Sequence, residues 1–158
     1  MNKQIKVLTM VIACLMTHHV KAIEELSKSE QEKTNRNTIR STPFYEAIVD
    51  NNAPSVLALL ESFSINSVDG VGRTPLMEAA LLGRTDMVLL LLDSGANIDM
   101  QSMYGETALI RAAYASQRDV IVVLLERGAD KTLVDGNGNP ARMIALFEGR
   151  NDIADLVS

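Results

Sequence analysis

From Thr42 onward the chain alternates short apolar blocks with Gly-, Asp- and Asn-containing breaks, and the apolar residues inside the blocks recur at helical spacing. Val88, Leu91 and Leu92, like Ile121, Leu124 and Leu125, are three and four residues apart, which puts each set on one face of a short helix. Thr74-Pro75 and Thr42-Pro43 are helix starts: the Thr hydroxyl caps the first turn, and Pro stands where a missing N–H costs nothing. Ala79-Ala80 and Ala112-Ala113 are small enough to let helices approach closely, and Gly83 allows the turn into a second helix. Gly95 and Gly128 fall where a left-handed C-terminal cap is wanted. Asp69-Gly70, Asp135-Gly136 and Asn137-Gly138 supply tight turns between helix pairs. The predicted class is all-α, built from helix-turn-helix units with hairpin-like tips.

The units are copies of one another. Gly72-Arg73-Thr74-Pro75-Leu76-Met77-Glu78-Ala79-Ala80 returns 33 residues later as Gly105-Glu106-Thr107-Ala108-Leu109-Ile110-Arg111-Ala112-Ala113. Leu91-Leu92-Asp93-Ser94-Gly95-Ala96-Asn97 returns at the same offset as Leu124-Leu125-Glu126-Arg127-Gly128-Ala129-Asp130. A further copy starts at Gly138, and an earlier, degenerate one begins at Thr42 with an offset of 32. The repeats run over about 42–68, 69–101, 102–134 and 135–158. A single unit cannot bury its own apolar face, so the expectation is a stacked solenoid whose outer copies act as caps.

A period of 33 carrying T-P-L, A-A, then G and L-L…G-A resembles the ankyrin-repeat family over Thr42 to Ser158, most closely in the second and third copies. The His that follows T-P-L in that family is Met77 and Ile110 here, so its cap hydrogen bonds must be made otherwise or omitted. The resemblance implies a module that binds protein partners through its tips and the exposed ends of its first helices. Carried onto matching positions, the tips are Val71, Arg73, Met103, Tyr104, Glu106, Asn137 and Asn139, and the helix ends are Leu81, Leu82, Tyr114, Ala115, Phe147 and Glu148. Leu81, Tyr114 and Phe147 form one column, and two readings stand for it: contact with a partner, or packing between repeats, with Phe147 the most suited to cap packing. Glu46, Glu78 and Arg111 form a second column, expected to be a solvated surface column in which Glu78 and Arg111 make a surface ion pair, and Arg111 is counted with the partner-binding residues.

The N-terminal residues carry a different message. Lys3 and Lys6 precede the uncharged run Val7 to Met16, the n-region and h-region of a secretory signal peptide. A membrane-spanning helix needs about 20 apolar residues, so a permanent span is not expected. Two processing sites compete: Val20-Lys21-Ala22, which makes residues 1–22 the leader, and Val11-Ile12-Ala13-Cys14, which resembles a lipobox, makes residues 1–13 the leader and lipidates Cys14. Either places the repeats in the periplasm, with residues 23–41 as a flexible polar linker.

Composition narrows the chemistry. The 158 residues include one Cys and two His, the adjacent His18 and His19, so zinc clusters, disulfide frameworks and His-based triads are excluded. The net charge is −5, and residues 23–158 alone hold 12 basic and 20 acidic residues, a net of −8. A nucleic-acid surface, which needs clustered Lys and Arg, does not fit. Gly136-Asn137-Gly138 lacks the Lys and Ser/Thr of a phosphate loop. No catalytic, cofactor or metal site is expected, and the chain is expected not to be an enzyme. The expectation is an exported protein-binding module, an inhibitor or immunity protein directed at a toxin or effector enzyme. The alternative is a lipoprotein scaffold or an accessory factor for an envelope enzyme. Overall acidity suits a basic partner.

Overall fold

The computed structural model describes residues 43–158. The leader, both processing sites, Cys14, the linker and Thr42 lie outside the described residues. Within these, eight helices follow one another: α1 (Tyr45–Val49), α2 (Ala53–Leu60), α3 (Pro75–Leu81), α4 (Thr85–Asp93), α5 (Ala108–Tyr114), α6 (Arg118–Glu126), α7 (Ala141–Phe147) and α8 (Asn151–Leu156). They form four antiparallel pairs, and among the described residues no strand intervenes beyond a single bridge between Val134 and Pro140.

Stacking follows from the small residues. Ala79, Ala80, Ala112 and Ala113 are fully buried, which lets α3 pack on α5 and α5 on α7, while α4 packs on α6 and α6 on α8. Leu76 and Leu109 are buried in consecutive layers at equivalent places, as are Leu91 and Leu124 in the second helices. At about 25 cal/mol per Å² of apolar surface, each such leucine stabilises the stack by roughly 2 kcal/mol.

The caps are built as the sequence predicts in the two central repeats. The Thr74 hydroxyl accepts from the Met77 N–H, and the Thr107 hydroxyl from the Ile110 N–H, each at 3.2 Å. Met77 answers the question posed by the missing His: its thioether Sδ accepts the Thr74 N–H at 3.4 Å, closing a reciprocal cap. Ile110 has no acceptor to return that bond. The outer repeats depart. Instead of starting at Pro43, α1 starts at Tyr45 with Phe44 at the N-cap and no side-chain cap bond, and Pro140 occupies the N-cap of α7 where Thr would otherwise stand.

Between the helices of each pair the backbone turns through a positive φ at Asn51, Gly83, Ser116 and Gly149. Gly83 was expected there, but Ser116 at φ 56° is a non-glycine residue in the left-handed region that favours glycine.

Candidate functional site

Each tip is assembled by one side chain acting on its own backbone. Asp69 Oδ1 accepts from the N–H of Val71 and Arg73, and Asp135 Oδ1 from the N–H of Asn137 and Asn139, all within 2.8–2.9 Å. In the tip between them Ser102 Oγ serves the N–H of Tyr104 and Glu106. Partial burial by itself raises the Asp135 carboxyl, but the hydrogen bonds from Asn139 and Asn137 outweigh it and hold the group below the usual carboxylate range. The left-handed residue of each tip is Gly72, Gly105 or Gly138, at φ 70–82°, so the glycines of Asp69-Gly70 and Asp135-Gly136 are not the ones whose conformation the turn demands.

Successive tips are laid against one another through the backbone. The Met103 N–H donates to the Val71 carbonyl at 3.0 Å, and the Gly136 N–H to the Tyr104 carbonyl at 2.7 Å. This pairing fixes the direction in which Met103 and Tyr104 leave the chain. Their side chains are 76% and 57% exposed. About 10 Å of helix separates this tip from the last residue of α5, Tyr114, which is 62% exposed, and the equivalent Phe147 at the end of α7 is 66% exposed. Large apolar groups displayed to this extent do not hold the stack together. Of the column, Leu81 is the member drawn inward, being partly buried, and Leu82 beside it reaches 37% exposure. Phe147, the member most suited to cap packing, is thus largely uncovered at the end of α7. Val71 and Arg73 are half-buried at the edge of the Asp69 tip, Ala115 is half-buried after Tyr114, and Asn137 and Glu148 are exposed.

The second column is a correction. Glu78 and Arg111 lie in the interior, not on a solvated surface: their side chains are 10% and 6% exposed, and the Arg111 Nη2 to Glu78 Oε1 distance is 3.1 Å. Arg111 Nη1 holds Glu106 Oε2 at 3.0 Å, and its Nε donates to the Met77 carbonyl at 3.3 Å. One guanidinium thus ties α3, α5 and the Ser102 tip together, and Arg111 is a structural element behind the face. Glu106 is committed to it, though its side chain keeps 30% exposure.

Among the described residues no group of three His, Cys, Asp or Glu side chains could hold a metal ion, and no helix is long and apolar enough to cross a membrane. An open groove of about 400 Å³ lies on the first repeat between α1 and α2, lined in part by Glu46, Asp50, Ala58 and Leu59. It contains none of the predicted face residues.

A family model described as ankyrin repeats, in three copies, matches residues 9–102 and 46–135. The chain belongs to the ankyrin-repeat family. Ankyrin repeats are protein–protein interaction modules, typically without enzymatic activity. No curated protein matches this ankyrin-repeat chain.

Proposed function

We propose that this ankyrin-repeat protein is exported and acts, without catalysis, by gripping another protein with the face formed by Met103, Tyr104, Tyr114 and Phe147. The supporting observation is that these four side chains are the most exposed large apolar groups among the described residues, at 57–76%, against 50% for Leu57 and Val68 and 45% for Phe63. A few large aromatic and aliphatic groups carry most of the energy of a protein interface, and a row of them on a rigid stack is pre-organised for binding. The role that fits an exported binder of this size is inhibition: an immunity protein covering a toxin or effector enzyme in the periplasm. Its overall acidity favours encounter with a basic protein at long range.

Export is supported by the Lys3/Lys6 and Val7–Met16 pattern. The test is to titrate the purified protein with exported enzymes encoded beside it, following both heat and enzymatic activity. Binding that abolishes the enzyme's activity, and that weakens by at least tenfold in Tyr104→Ala, is the expected result. Loss of the reading follows if no such protein binds, or if Tyr104→Ala binds as tightly as the wild type. A second reading, a membrane-tethered scaffold or accessory factor, is favoured by Val11-Ile12-Ala13-Cys14 alone. Mass spectrometry of the mature N-terminus separates the two, since an acylated Cys14 supports the tether and an unmodified Ile23 removes it.

A further inference from the structure

The partner's chemistry is written in the charges of the face, and these differ from those of the chain as a whole. The acidic residues of the two central repeats lie mainly on the second helices and the loops after them: Asp86, Asp93, Asp99, Asp119, Glu126 and Asp130. Over the central tips and first helices, residues 69–82 and 102–115, there are five charged side chains. Four of them are consumed. Glu78 and Glu106 are held by Arg111, and Asp69 spends Oδ1 on two backbone N–H groups.

The fifth is Arg73. It makes no ion pair among the described residues, and its Nε is buried without any hydrogen-bond partner. That Nε is enclosed, so a partner's carboxylate meets Arg73 at the accessible end of its guanidinium, supplying the counter-ion that the described residues do not. Arg73 also stands beside the apolar row. A Cβ placed on neighbouring Gly72 would lie 3.6 Å from Met103 Cγ, and the Met103 N–H bonds to Val71.

We infer that this face takes an apolar segment of its partner that carries a carboxylate, with the acidic side chain paired to Arg73 and the apolar side chains laid over Met103, Tyr104 and Tyr114. The acidic shell on the second helices acts on encounter, whereas the contact itself is apolar and anionic on the partner's side. The inference rests on the protein-binding reading above and names the class of surface that satisfies it.

The test uses the full chain and a display library of random short peptides. Peptides selected on the wild type and lost on Tyr104→Ala are sequenced, and one is synthesised and titrated against the wild type, Arg73→Ala, Arg73→Glu and Arg73→Lys, each shown by circular dichroism to be folded. Enrichment of aromatic or aliphatic residues with an Asp or Glu supports the inference, with Arg73→Ala weakening binding roughly tenfold, Arg73→Glu weakening it further, and Arg73→Lys recovering part of the loss. A Tyr104-dependent consensus rich in Lys and Arg, or one indifferent to Arg73, overturns it and leaves the protein-binding reading standing. Absence of any Tyr104-dependent peptide removes both.

Discussion

Replacing Arg111 with Met isolates the energetics of the buried column. The substitution keeps the volume and helix propensity of the side chain but removes the two ion pairs at 3.0 and 3.1 Å and the hydrogen bond to the Met77 carbonyl. What remains is a Glu78 carboxylate with 10% of its side chain exposed and no cation beside it. Removing one partner of a buried pair costs about 3–5 kcal/mol, because the charge left behind has lost both water and its counter-ion. For a domain of this size that is a drop of roughly 10–20 °C in Tm. Replacing Glu78 as well, in Arg111→Met/Glu78→Met, removes the stranded charge, and the double variant is expected to regain most of the loss, coming within about 1 kcal/mol of the wild type. Glu106→Ala alone, at the more exposed end of the network, is expected to cost no more than about 1 kcal/mol. Thermal and urea unfolding followed by circular dichroism give all three values. A loss under 1 kcal/mol for Arg111→Met, or a double variant less stable than the single one, refutes the placement of this column in the interior.

Glycine at two equivalent tips gives a contrast of a different kind. At Gly138 an added Cβ meets nothing within 4 Å, so Gly138→Ala bears only the left-handed backbone penalty of about 1–2 kcal/mol. At Gly105 the Cβ would lie 2.9 Å from the backbone of Asp135 and Gly136, and Gly105→Ala is expected to cost clearly more in urea unfolding. Ser116→Gly, relieving a non-glycine residue at φ 56°, is expected to raise the urea midpoint slightly, by up to about 1 kcal/mol in stability. The lowered Asp135 carboxyl stabilises the fold above its ordinary value of 3.8, and that contribution is lost as pH falls through the still lower folded-state value. Asp130, lowered by the Thr132 hydroxyl, and Asp152, lowered by Arg150, act in the same direction. Melting curves through the acid range should therefore fall less steeply for Asp135→Asn, whose amide oxygen still accepts the two tip N–H groups, than for the wild type.

The period, the Thr caps, the paired alanines and the cap glycines were legible because each is a local rule repeated at a fixed offset. Two blocks sharing the offset of 33 are enough to place Leu76 over Leu109. The column of Glu78 and Arg111 was legible as a pair but not as a buried one, since burial depends on how closely α3, α5 and the Ser102 tip pack, which periodicity does not encode. For Phe147 the sequence leaves partner contact and cap packing both open, because its 66% exposure at the helix end depends on how far the terminal repeat covers it, which periodicity does not encode either. The roles of Asp69, Ser102 and Asp135 in building the tips could have been found from the 33-residue column of short hydrogen-bonding side chains. Met77 as a sulfur acceptor could not, because its thioether is indistinguishable in sequence from one more core side chain. Unmatched Arg73 became visible only once the partners of every other charge on the face were accounted for.

Site-specific photo-crosslinking in the native host addresses the account at its centre. Benzoylphenylalanine is placed at Tyr104 and Tyr114 on the face, and at Asp93 and Glu126 on the second helices. The account predicts that one and the same protein is captured from Tyr104 and Tyr114 and from neither of the other positions. Capture from Asp93 or Glu126 alone, or no discrete adduct from any of the four, would contradict it.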